Sequence, residues 1–95
     1  ARRPSYNGGP MRLLLQQHPL AGESPKYVQL ILQQDLLGGW QLLRESGQTG
    51  GKATLRREQF LDQKQAVDAF EKARDAQIKR GFQVMFAQGA SAHGA

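Results

Sequence analysis

Apolar and polar positions alternate along much of the chain, and a period of two predicts β-strands. In "MRLLLQQ", Met11, Leu13 and Leu15 alternate with Arg12 and Gln16, with Leu14 as the exception. After the loop "HPLAGESP", "KYVQLILQQD" sets Val28, Leu30 and Leu32 on one face and Tyr27 and Ile31 on the other. Apolar members on both faces predict a central strand. "LLGGW" then supplies Gly38-Gly39, which suits a tight reversal with positive backbone angles. "WQLLRES" is the returning arm of an antiparallel hairpin, with Trp40 and Leu42 on one side and Leu43 on the other. "TLRREQF" returns once more, although the opposite parity of Leu55 and Phe60 calls for a bulge or a bend.

The period changes between Asp62 and Arg80. Asp62 followed by Gln65 fits a capping box, in which the carboxylate accepts a free backbone N–H of the first helical turn. Ala66, Ala69, Phe70 and Ala73 form one stripe flanked by Val67 and Ile78, while Asp68, Glu71, Lys72, Asp75 and Lys79 share the opposite face. Gln77 and Arg74 fall within or beside the stripe, and a buried amide there needs a partner. Lys72, Arg74, Lys79 and Arg80 suit the negative end of the helix dipole, and Gly81 is placed to cap it. Phe82, Val84 and Phe86 then alternate in a last strand. Strands, one long helix and a strand predict an α+β domain, an antiparallel sheet with the helix packed on one face. Residues 1–10 and 89–95 lack any period and read as flexible tails, which leaves 11–88 as the domain.

Ninety-five residues suffice for one core and not for two. Hydrophobic residues at 39% and charged residues at 22% are the balance of a chain that folds. The absence of cysteine excludes disulfides, thiolate metal sites and a cysteine nucleophile. No apolar run approaches the about 20 residues needed to cross a bilayer, and no export signal is visible, so a cytoplasmic protein without membrane contact is expected. Thirteen Lys and Arg against eight Asp and Glu leave a charge of +5, which favours a polyanionic partner such as nucleic acid.

Catalytic chemistry is not visible. His18 and His93 lie in predicted loops without a positioned carboxylate, and no metal-ligand spacing or cofactor motif occurs. "GQTGGKAT" is not a P-loop, because its hydroxyl residue is displaced by one position and no helix follows. Its backbone amides can still hold an oxyanion, and Lys52 adds charge. Arg44, Lys52, Arg56 and Arg57 lie in this loop or on the strands beside it, so pairing of those strands would gather cations there.

A Tyr-bearing strand, "DLLGGWQLLRE", a glycine-punctuated loop, a strand ending in Phe60, a helix and a closing "KRGF" together resemble a WGR domain over residues 11–88. That family is named for a Trp-Gly-Arg motif and occurs in eukaryotic poly(ADP-ribose) polymerases and in bacterial proteins. The resemblance implies an antiparallel sheet with a packed helix; in the polymerase examples the motif Trp stacks near a DNA end and the motif Arg contacts the backbone. Here the motif falls on Ser46-Gly47-Gln48, and its glycine alone is retained. A serine cannot stack, which forfeits about 1–3 kcal/mol per stacked base. The expected function is a non-enzymatic module binding nucleic acid, DNA foremost, through Arg44, Ser46, Gly47, Gln48, Lys52, Arg56 and Arg57. The alternative is a protein-interaction module docking through outer sheet residues such as Tyr27 and Ile31. Self-association through an edge strand is a further route to a partner.

Overall fold

The computed structural model describes residues 10–19 and 21–89, so the predicted tails over 1–10 and 89–95, apart from Pro10 and Gly89, lie outside the described residues. Six elements follow in order: β1 (Met11–Gln17), β2 (Lys26–Gln34), β3 (Trp40–Gln48), β4 (Ala53–Phe60), α1 (Gln63–Lys79) and β5 (Gln83–Gln88). The strands form one sheet in the order β4-β3-β2-β1-β5, antiparallel at every pairing. Strands β1 to β4 make a meander, and α1 carries the chain across one face from the β4 edge to the opposite edge, where β5 pairs with β1. The expected α+β architecture is therefore the one observed.

Alternation determines which face α1 covers. Leu15, Leu30 and Leu32 have no exposed surface, and Leu13, Val28 and Leu42 are nearly as buried. Ala66, Val67 and Phe70 of α1 close over them in a single core that also takes in Met11, Trp40, Ala73 and Phe82. Fully burying one such side chain is worth about 1.5–3 kcal/mol, so this one-sided core holds the sheet and helix together. The other face is uncovered and carries Tyr27, Ile31 and Leu43 half-buried. The β2–β3 reversal is held by Asp35, whose Oδ1 accepts the Leu37 and Gly39 amides at 2.8 Å each, with Gly38 at φ +92°.

The helix begins where the sequence places it. Asp62 is the N-cap, its Oδ1 accepting the Gln65 amide at 2.8 Å, and Gly81 follows the helix at φ +94°. The buried stripe is Ala66, Val67, Phe70, Ala73 and Gln77, whereas Ile78, expected beside it, is 46% exposed. Two further expectations are corrected. Strand β4 pairs with β3 in unbroken register from Ala53 to Phe60, without the bulge inferred from Leu55 and Phe60. Phe60 packs against the core, while Leu55 lies on the open face of an edge strand, 62% exposed, so parity never had to be reconciled. The irregularity falls between β1 and β5: Leu14 pairs with Phe86 and Leu15 with Val84, leaving Met85 as the inserted residue. Phe82 precedes β5 and enters the core on the face of Val84, which pairs with the buried Leu15, whereas the bulge sets Phe86 opposite Leu14 on the other face, so the expected alternation breaks at Phe86.

Candidate nucleic-acid interface

At one end of the sheet the β3–β4 hairpin, the β1–β2 loop and the last turn of α1 meet. The hairpin closes because Gly47 has no side chain: a Cβ there would stand 2.6 Å from the Lys52 carbonyl oxygen and 3.0 Å from the Ala53 Cα. Gly50 turns the chain at φ +81°, and the Gly51 amide donates to the Gln48 carbonyl at 2.9 Å. The Thr49 amide donates to the Pro25 carbonyl at 3.0 Å, fastening the hairpin tip to the β1–β2 loop. Register does the rest, setting Lys26 opposite Gln48, Val28 opposite Ser46 and Ser46 opposite Thr54.

The helix supplies the third wall. Gln17 Nε2 donates to the Arg80 carbonyl at 2.8 Å, tying the end of α1 to the end of β1. The Arg80 guanidinium stands over the Phe82 ring at 5.7 Å and donates to Gln77 Oε1 at 3.2 Å. Gln77, the buried amide of the helix stripe, thus has its partner in a cation that it helps to hold.

These elements enclose an open hollow of about 390 Å³. Lys26, Lys52 and Arg80 bring three positive charges to it, Ser46 and Thr54 two hydroxyls, and Gln48 an amide; no carboxylate lines it. Among the described residues, none of these three cations has an acidic partner within salt-bridge distance. Three cations, two hydroxyls and an amide, with no competing anion, suit a phosphate-bearing ligand.

The residues expected from the sequence divide between two faces. Ser46, Gly47, Gln48 and Lys52 line the hollow. Arg44 and Arg56 pair with each other across β3 and β4, on the same face and next in line after Ser46 and Thr54. Arg44 reaches Glu58 at 3.8 Å, which partly quenches its charge. Arg57 lies on the uncovered face, beside Gln33, Gln41 and Gln59, and is not part of the hollow. Consecutive residues of one strand point to opposite faces, so Arg56 and Arg57 cannot serve one site directly.

A chain of this topology, matched by the WGR domain family model over residues 11–87, leaves one assignment. The chain belongs to the WGR domain family. No curated protein and no solved structure gives a significant match to it. In this WGR domain the glycine of the signature is demanded by the hairpin, while the flanking Ser46 and Gln48 both line the hollow. At these two positions the chain offers a hydroxyl and an amide to the hollow. Charge enters instead from Lys26 and Arg80, neither of which sequence reading singled out for the site. Counting outward from Gly38-Gly39 would set Lys26 opposite Gly51; its place opposite Gln48 follows from the five-residue loop between Gln34 and Trp40, which pair. For Arg80 no local signal exists, because its position depends on how α1 crosses the sheet.

Proposed function

We propose that this WGR domain is a non-enzymatic cytoplasmic module that binds nucleic acid, DNA foremost, through phosphate contacts in the hollow between the β3–β4 hairpin and the end of α1. The supporting observation is the convergence of Lys26, Lys52 and Arg80 around Ser46, Gln48 and Thr54 without a carboxylate. The cations displace condensed counterions from the phosphates, and the hydroxyls and amide donate to phosphate oxygens. Arg44 and Arg56 extend the positive surface beyond the hollow on the same face. With serine in place of the stacking residue, affinity rests on charge and carries little base readout.

Fluorescence anisotropy with duplex, nicked and single-stranded DNA at two salt concentrations tests this. Binding at low salt that Lys26→Glu/Lys52→Glu/Arg80→Glu abolishes, and Arg57→Glu leaves nearly intact, supports the reading. Absence of binding at low salt, or binding indifferent to the triple reversal, defeats it.

A second reading, docking on a protein, is favoured by a different observation from the one expected. Tyr27 and Ile31 are half-buried, and the Tyr27 hydroxyl donates to Glu45 Oε2 at 2.8 Å. Leu36, Leu37 and Leu61 instead project at 103%, 91% and 93% exposure from the end of the sheet opposite the hollow. Exposed apolar groups gathered into one contiguous patch, rather than scattered singly, mark protein contacts.

A further inference from the structure

The two edges of the sheet are unlike. Strand β4 carries Arg56, Arg57 and Glu58 along its length, with Lys52 just before it. Strand β5, "QVMFAQ", carries no charge, and its consecutive Val84, Met85 and Phe86 are 45%, 55% and 48% exposed. Charged side chains on an edge strand discourage further pairing, and β4 is guarded in this way. β5 has only the bulge opposite Leu14 and Leu15 to interrupt it, and its outer backbone groups have no strand beside them among the described residues.

We infer that β5 pairs with β5 of a second copy of this chain, joining two five-stranded sheets into one. The choice of occupant follows from the edges. Pairing β4 with β4 would bring Arg56 and Arg57 of two copies together. Pairing β4 with β5 would be head-to-tail, leaving a free edge of each kind and running on as an open filament. Pairing β5 with β5 is isologous, closes at two copies and ends on both sides in a charged β4 edge. A two-fold axis perpendicular to the joined sheet sets both helices, and both cationic hollows, on the same face. One six-residue strand against its copy buries less than the about 800 Å² per partner of a stable interface, so the dimer is weak and concentration-dependent. Its formation does not rest on nucleic-acid binding.

Sedimentation velocity of the full chain from micromolar to millimolar concentration tests this. The expected mass rises from 10.5 kDa towards twice that value. It rises further as added NaCl screens the +5 charge of each copy, the opposite of the salt response of phosphate binding. Val84→Lys/Phe86→Lys keeps the chain monomeric throughout, and Met85→Lys, at a more exposed position, does the same if the double variant fails to fold. Leu55→Lys on β4 and Leu36→Ser/Leu37→Ser at the opposite corner leave the dimer intact. A monomer at every concentration, a dimer that survives the β5 lysines, or one lost on changing Leu36 and Leu37 overturns the inference.

Discussion

Gly47 pairs with Ala53 at the closed end of the β3–β4 hairpin, where a single methyl group on Gly47 would stand 3.0 Å from the Ala53 Cα and 2.6 Å from the Lys52 carbonyl oxygen. The glycine at the centre of the family signature is thus a requirement of the backbone that carries the loop, whatever its neighbours bind. Gly47→Ala should destabilise the domain by about 1–3 kcal/mol, as overpacking does. Gly51→Ala, whose nearest contact would be 3.5 Å away, should change stability by about 0.5 kcal/mol or less. Urea denaturation of the two variants separates a steric requirement from a general preference for glycine.

Asp62 holds the start of α1 by accepting the Gln65 amide. Asp62→Ala should cost about 0.5–2 kcal/mol, while Asp62→Asn, which keeps an acceptor at that position, should cost less. Thermal melts followed by circular dichroism at 222 nm give both values.

Tyr27 has its phenol pKa raised above the usual 10.0, chiefly because its hydroxyl donates to Glu45 Oε2, with desolvation and the Glu45 charge adding in the same sense. Ionisation removes the donated hydrogen bond and sets two negative groups together. A group whose folded pKa is raised contributes its full stabilisation below the unfolded value and loses it as pH rises through the folded value. The bond therefore supports the fold up to about pH 10 and fails above it. Tyr27→Phe should abolish this component of the alkaline loss of stability, and an ultraviolet titration of tyrosinate should show Tyr27 ionising later than an unhindered tyrosine.

Leu30 and Leu55 have the same side chain and opposite fates. Leu30→Ala empties a site with no exposed surface on a central strand and should cost about 2–5 kcal/mol. Leu55→Ala, at 62% exposure on an edge, should cost about 0.5 kcal/mol or less. Chemical denaturation of each is the measurement.

The same contrast explains how far the fold could be read from the sequence. Alternation marked β1, β2 and β3 because one face of each is buried, and the pattern at Val28, Leu30 and Leu32 records that burial directly. In β4, positions 53–59 are all exposed, so neither Leu55 nor its neighbours had to obey the period, and the inferred bulge had no physical cause. At the site, Ser46, Gly47, Gln48 and Lys52 were recognisable because they adjoin in sequence around one hairpin. Arg80 was not, since its place follows from β5 pairing with β1, which draws the end of α1 toward the β1–β2 loop. Arg57 was grouped with Arg56 by adjacency, although strand geometry divides neighbours between faces.

The salt dependence of DNA affinity tests the central claim most directly, because it counts the phosphates neutralised. With Lys26, Lys52 and Arg80 each meeting one phosphate of duplex DNA, log K should fall against log salt concentration with a slope of about −2.7. Arg44 and Arg56 can only steepen it, and Lys52→Ala should reduce its magnitude by about 0.9. A slope near zero, or one unchanged when Lys26, Lys52 and Arg80 are replaced by alanine, would contradict the assignment of the hollow as a phosphate-binding site.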